Sequence, residues 1–225
     1  MIPWVQLDAA TVPGGGELRL VQRGREFAIL AGATPLMNSR MSGSEAVLAE
    51  LVCERLRGRR KCSLLIGGYG MGFTLRAALS GLGADARVTV AELVPAIVKW
   101  ARGPMADLTA GCLDDPRVLF HEGDVGDSIA AGRASFDAIL LDVDNGPDGL
   151  SRPANDRLYD LHGLKEARRA LRPKGLLAVW SAAPSSAFGR RLVHAGFAVE
   201  EITARAHKGR GARHTIWIAT QAGRG

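Results

Sequence analysis

Residues Ser63–Thr74 read SLLIGGYGMGFT. Leu64, Leu65 and Ile66 run directly into Gly67-Gly68-Tyr69-Gly70-Met71-Gly72, and a helical pattern follows with Leu75, Ala78 and Leu79 on one face. An apolar run, a glycine cluster and then a helical period predict a buried strand, a tight turn and a helix entered at its N-terminus. Glycines permit positive φ and let a ligand approach where a Cβ would block it. The helix end adds unpaired N–H groups. Two familiar nucleotide turns do not fit. A P-loop requires Lys-Ser/Thr after its last glycine, where this chain has Phe73-Thr74. A dinucleotide turn, G-x-G-x-x-G, would need glycine at Phe73. What stands is G-x-G-x-G, formed by Gly68, Gly70 and Gly72.

This spacing resembles the first motif of the S-adenosylmethionine-type transferases. The next element supports a nucleoside site. Arg87–Glu92, RVTVAE, is a β-branched strand whose last residue is an acid. A carboxylate at the tip of the neighbouring parallel strand can accept hydrogen bonds from both ribose hydroxyls. Gly68, Gly70, Gly72 and Glu92 are therefore the expected cofactor-binding residues.

The chain has 225 residues, which suits one large domain, or a domain with a small appendage, and its 47% hydrophobic content is ample for a core. No apolar run approaches the length of a membrane span, so no membrane association is expected. The start, MIPWVQLDAA, lacks a basic stretch followed by an apolar one, and a cytoplasmic location is the expectation. Cys53, Cys62 and Cys112 show no metal or disulfide spacing and read as reduced, buried thiols. The five histidines show no metal spacing either, so no metal site is expected. The net charge of +6 raises the question of nucleic acid, but the arginines are dispersed and aromatic residues make up only 5%. Nucleic acid is not the expected partner.

Residues 1–41 read as an N-terminal β-hairpin appendage, with ELRLVQ at Glu17–Gln22 and EFAIL at Glu26–Leu30, and a further short strand at Leu36–Asn38. Its apolar face should pack on the main domain or on a second subunit, and a homodimer is expected. Ser42-Gly43-Ser44-Glu45 reads as a capping box before a helix that ends at Gly58. The basic cluster Arg55–Lys61 reads as solvated surface complementing the helix dipole. From residue 62 onward, strands and helices alternate. Strands are expected at Val118–His121, Phe136–Leu141, Leu176–Trp180, Phe197–Ile202 and Thr215–Thr220. Helices are expected from Pro95, over Val125–Ala131, Arg157–Leu171 and Ser185–Ala195, with a basic turn at Ala204–Arg213. Repeated βα units predict an α/β, doubly wound, Rossmann-like, seven-stranded sheet over residues 42–225, with ligands at the strand C-termini.

Two more acids stand at strand ends. Asp124, in HEGD, can accept from an adenine amine, and it can also cap the short helix that follows. Asp142 ends the FDAILL strand, beside the strand that feeds the glycine turn. It is the candidate catalytic residue, an acid able to bind an ammonium and take its proton. Asp144 lies close by, with Asp148 a few residues on, and Tyr159 could line the acceptor pocket or sit at the core edge. Asp144-Asn145-Gly146-Pro147 also reads as a turn.

The runs Gly68–Gly72, Thr74-Leu75-Arg76, Val90-Ala91-Glu92-Leu93, Asp114–Val118, Gly123-Asp124, Phe136–Asp142 and Leu171–Gly175 resemble the spermidine synthase family, aminopropyltransferases on the class I methyltransferase fold. The resemblance covers roughly Cys62–Ala183, and the hairpin is similar to that family's N-terminal domain. It implies donor binding by Glu92 and Asp124, an amine-facing acid at Asp142, and decarboxylated S-adenosylmethionine as co-substrate. This chain departs from the family in two places. Asp142-Val143-Asp144-Asn145-Gly146-Pro147 stands where the family has Asp-Ser-x-Asp-Pro. The family's Tyr-His-Glu run is missing; Glu45 and Glu50 remain as the acids of that region, and Asn38 stands near the family's Gln. The leading expectation is transfer of an aminopropyl group to an amine such as putrescine. The alternatives are an S-adenosylmethionine-dependent methyltransferase acting on a small molecule or RNA, and a non-catalytic adenosyl-ligand or RNA-binding module.

Overall fold

A computed structural model describes residues 2–40, 42–143, 146–147, 155–207 and 210–221. Asp144, Asn145 and Asp148 of the expected acidic turn, and Lys208 of the expected basic turn, lie outside the described residues.

The N-terminal region is a four-stranded antiparallel sheet in the order β1 (Val5–Thr11), β2 (Glu17–Arg23), β3 (Glu26–Ala31), β4 (Thr34–Asn38). Sequence reading found the β2–β3 hairpin and part of β4 but not β1. VQLDAAT carries little apolar alternation, and most of the strand is exposed. What holds β1 down is polar: Asp8 Oδ2 accepts from Lys99 Nζ and Trp100 Nε1, each at 2.9 Å. Those two hydrogen bonds, with the Ala9 N–H, hold the Asp8 carboxyl down at about 2.

The rest of the chain builds a seven-stranded sheet. In chain order its elements are α1 (Gly43–Arg55), β5 (Ser63–Gly67), α2 (Phe73–Gly81), β6 (Arg87–Glu92), α3 (Pro95–Arg102), α4 (Ala106–Thr109), β7 (Val118–Glu122), α5 (Val125–Ala131), β8 (Phe136–Leu141), α6 (Asp156–Tyr159), α7 (Leu161–Ala170), β9 (Leu171–Ser181), α8 (Ser186–His194), β10 (Phe197–His207) and β11 (Arg210–Gln221). The strand order is β10-β11-β9-β8-β5-β6-β7. β5 to β9 run parallel, and the β10–β11 hairpin joins antiparallel to β9. This is the expected doubly wound arrangement.

The strand period of two explains why the central strands are apolar throughout. Leu64 and Ile66 of β5, Ala138 and Leu140 of β8, and Leu176 and Ala178 of β9 face one layer. Leu65, Ile139, Leu141, Leu177 and Val179 face the other. Leu48 and Val52 of α1, Leu75 of α2 and Trp100 of α3 cover the first face, together with Leu18, Leu20 and Ile29 of the N-terminal sheet. Ile129, Leu164, Phe188 and Leu192 cover the second. The N-terminal sheet thus shares a hydrophobic core with the main sheet.

Four local expectations change. The Arg157–Leu171 helix is two helices, because Asp160 caps α7 by accepting from the Gly163 N–H at 2.7 Å. Leu171 pairs with Phe136, so β9 begins before Pro173-Lys174-Gly175, and the irregularity is absorbed as a register shift. The β10 and β11 strands extend through most of the expected basic turn. Arg59, expected in solvent, holds the buried Asp137 at 3.1 Å and donates to Lys174 O. Asp137 is 6% exposed and is also bonded by Arg172 and by the Ser63 N–H.

Candidate active site

The C-terminal ends of β5, β6 and β8 meet at the glycine turn. Gly68, Gly70 and Gly72 take φ of 84°, 55° and 77°, a backbone region glycine enters freely. Gly68 donates to Ala91 O at 2.9 Å, and Asp142 N–H donates to Gly67 O at 3.1 Å, so the turn is tied to both neighbouring strands. A Cβ on Gly68 would lie 2.6 Å from the Asp142 carbonyl oxygen.

A cleft of about 180 Å³ opens over this turn. Gly68, Gly70, Glu92, Asp124 and Asp142 all line it. Gly72 does not; it serves the turn, since a Cβ there would meet the Tyr69 hydroxyl at 2.7 Å. The opposite wall comes from the N-terminal sheet, with Val12, Leu18, Leu36 and Met37. The appendage is therefore part of the site, a role its sequence did not signal. Met37 reaches the turn itself, 3.0 Å from where a Gly70 Cβ would stand.

Glu92 is 8% exposed. Its Oε2 accepts from the Tyr69 N–H at 2.9 Å and its Oε1 from the Val94 N–H at 2.8 Å. Burial raises its pKa, and the backbone N–H groups pull the other way. The acid expected to bind ribose therefore also clamps the glycine turn to the end of β6, and it lines the cleft with those partners in place. Glu92→Gln would turn one N–H acceptor into a donor facing a donor. We expect it to lower stability and nucleoside affinity together, each by about 1.5–3 kcal/mol. Denaturation and titration with methylthioadenosine would check this. A variant equal to wild type in both would put the ligand elsewhere.

Asp124 performs the capping role. Its Oδ1 accepts from the Gly126 N–H at 2.7 Å, and Arg157 binds its Oδ2 at 2.7 Å. It lines the cleft with those partners in place. Tyr159 sits elsewhere. It is 2% exposed, packs edge-on against Phe188 at 5.8 Å and donates to Val143 O at 3.3 Å. It lines neither the cleft nor the inner room, so of the two expectations for Tyr159 the core position is the one found.

Asp142 stands at the end of the cleft. Its Oδ2 accepts from Thr74 Oγ1 at 2.6 Å. Burial pushes its pKa up to about 6, with the Thr74 hydroxyl opposing the rise. Beyond it lies an inner room of about 50 Å³, lined by Glu45, Tyr69, Met71, Phe73, Asp142 and Trp180, with Leu36, Met37 and Gly70 shared with the cleft. Glu45 was expected in a capping box, but Ser42 makes no side-chain cap. Its carboxyl faces the Asp142 charge instead, and burial together with that charge raises its pKa well above the ordinary value. Glu45 Oε2 and Trp180 Nε1 are buried with no hydrogen-bond partner among the described residues. Thr74, Met37 and Trp180 line or touch this candidate site and were not singled out as site residues from the sequence, while Glu45 was noted only as an acid left where the Tyr-His-Glu run is missing.

No family model matches the chain. Over 127 residues, 55% of this chain, it is 37% identical to the polyamine aminopropyltransferase of Mycobacterium tuberculosis, 23% of which is covered. Over that stretch the chain is similar to a polyamine aminopropyltransferase. Another, from Sulfolobus acidocaldarius, is 27% identical over 123 residues, 55% of this chain and 39% of that relative. The matched stretch thus spans less than half the length of either relative. Among solved structures, the spermidine synthase from Thermotoga maritima superposes with a TM-score of 0.77 at 14% identity, covering 96% of this chain and 73% of that one. A spermidine synthase in complex with the transition state analogue AdoDATO gives 0.76 at 14% identity, covering 96% and 72%. A carbon methyltransferase gives 0.54 over 79% of this chain and 54% of its own, also at 14% identity. These likenesses show the shared fold. Among the described residues no group of His, Cys, Asp and Glu could hold a metal ion, and no helix is long and apolar enough to cross a membrane.

Proposed function

We propose that this chain is a transferase that moves the aminopropyl group of decarboxylated S-adenosylmethionine onto a small primary amine of the putrescine class. The observation that carries the reading is the position of Asp142, a buried acid with pKa near 6 where the nucleoside cleft meets the inner room. The sequence relationship to polyamine aminopropyltransferases supports it.

In the proposed reaction the amine nitrogen attacks the carbon beside the sulfonium. The C–N bond forms as the C–S bond breaks, and the nucleoside leaves as a neutral thioether. The sulfonium is already a good leaving group, so the protein's part is to align the reactants and exclude water. It must also supply a free amine, because an alkylammonium ionises near 10 and is protonated at neutral pH. Asp142 takes that proton, and its raised pKa makes it a stronger base than an ordinary carboxylate. Gly68, Gly70 and Glu92 hold the nucleoside, with Asp124 toward the base.

The methyltransferase alternative would use the same cleft and differ in donor. The ordinary donor adds a carboxylate, which the Asp142 charge would oppose. Calorimetric titration with the two donors tests the reading: the decarboxylated form should bind more tightly. Tighter binding of S-adenosylmethionine would favour methyl transfer, and binding of neither would leave no adenosyl chemistry.

A further inference from the structure

Met37 sits where the two cavities join. Leu36, Met37, Gly70 and Asp142 line both the cleft and the inner room. The Met37 backbone is held in β4, paired with Ile29 of β3, and its long side chain crosses from the N-terminal sheet to the glycine turn. Gly70 has a positive φ of 55°. Apart from its chain neighbours, the described atoms within 4 Å of the point where its Cβ would stand are Met37 Sδ at 3.0 Å and Cε at 3.4 Å. The space this glycine leaves is therefore filled by a thioether. Met37 also differs from the other described sulfur residues in access. It is half-buried and faces the open cleft, whereas Met71 is 3% exposed and Met105 is fully buried. Cys53, Cys62 and Cys112 are buried, and burial raises the pKa of each thiol, so little reactive thiolate is present. Met1 and Met41 lie outside the described residues. Among the described sulfurs, that of Met37 is the one a hydroperoxide entering the cleft meets first.

We propose that Met37 is an oxidation site that closes the cleft: a hydroperoxide converts its thioether to the sulfoxide, and the oxidised side chain blocks nucleoside binding at the junction. With hydrogen peroxide the step balances simply. A sulfur lone pair attacks one peroxide oxygen, the S–O bond forms and the O–O bond breaks. The proton on the transferred oxygen passes to the departing one, which leaves as water. The sulfur is oxidised by two electrons and the peroxide is reduced. The sulfur is already packed against Gly70, so the added oxygen is directed into the cavities. There it becomes a polar atom in a wall formed with Val12, Leu18 and Leu36. The N–H groups of Tyr69 and Gly70 do not satisfy it, because both donate to Glu92. A bound nucleoside would enclose this oxygen without a donor, and an enclosed, unpaired acceptor is costly. The proposal rests on the nucleoside reading of the cleft and not on which group is transferred.

The test treats the whole chain with hydrogen peroxide, removes the peroxide and titrates with methylthioadenosine by calorimetry, with peptide mass mapping of every methionine. Met37 should gain one oxygen about fivefold or more faster than Met71 and Met105. Affinity for methylthioadenosine should fall about tenfold or more in step with that gain. The oxidised protein should stay folded, with unchanged far-ultraviolet circular dichroism. Met37→Leu should show the same affinity before and after peroxide, whatever its starting value. Met37→Gln, which places an amide oxygen near the same point, should bind weakly without treatment. Oxidation of Met71 or Met105 as fast as Met37 would overturn the proposal. So would complete oxidation of Met37 with unchanged affinity, an equal loss in peroxide-treated Met37→Leu, or a loss that appears only with unfolding. If untreated wild type does not bind methylthioadenosine, the nucleoside reading of the cleft itself fails.

Discussion

Asp142→Asn should lower turnover by about two or more powers of ten while leaving nucleoside affinity within a factor of two. The asparagine amide keeps the shape, and its Oδ1 still accepts from Thr74, but it cannot take a proton from the attacking amine. The same change should relax discrimination against the carboxylated donor, because the Asp142 charge that opposes it is gone. A stability signature accompanies the kinetic one. The Asp142 pKa rises from 3.8 to about 6 on folding, so between those values the native state holds a proton the unfolded chain has released. Wild-type stability should therefore fall as pH rises from about 4 to about 6. The variant should lack that share of the fall and melt higher than wild type at pH 7. Thermal denaturation across this range, beside steady-state kinetics, checks both halves. An active variant, or one less stable at neutral pH, would remove Asp142 from the base role.

Gly68→Ala should abolish measurable adenosyl-ligand binding, and Gly58→Ala provides the control. Both glycines have φ of 84°. At Gly58 a Cβ meets nothing within 4 Å, so alanine there costs only the left-handed backbone, about 1 kcal/mol. At Gly68 the same methyl group would meet the Asp142 carbonyl oxygen at 2.6 Å and Val143 Cγ1 at 3.3 Å. Neither the turn nor the end of β8 can hold its place, and the end of β8 carries the proposed base. Titration of both variants with methylthioadenosine should show binding in Gly58→Ala and none in Gly68→Ala. Equal affinities would mean that the turn tolerates displacement and does not define the site.

The sheet was legible because its signals are local. Leu64–Ile66 before the glycines and FDAILL before Asp142 announce strands covered on both faces, and acids at strand tips fall at the ligand end of such a sheet. The use of Glu45 was not legible, although it was noted as an acid left where the Tyr-His-Glu run is missing. Ser42 and Glu45 have the spacing of a capping box, a purely local pattern, and the carboxyl's use depends on how α1 docks against α2 and β8. β1 was missed because its attachment runs through Asp8 to Lys99 and Trp100, side chains some 90 residues away. Arg157, found on Asp124, and Arg59, found on Asp137, carry the same lesson. A charged side chain in a sequence does not show which distant partner will bury it.

The most direct test of the account is product analysis. The protein would be incubated with putrescine and, separately, with decarboxylated and ordinary S-adenosylmethionine, and the products resolved by mass spectrometry. The account predicts aminopropylated amine and methylthioadenosine from the decarboxylated donor, and no transfer from the ordinary one. Methylated product with S-adenosylhomocysteine from the ordinary donor, and none from the decarboxylated form, would contradict it.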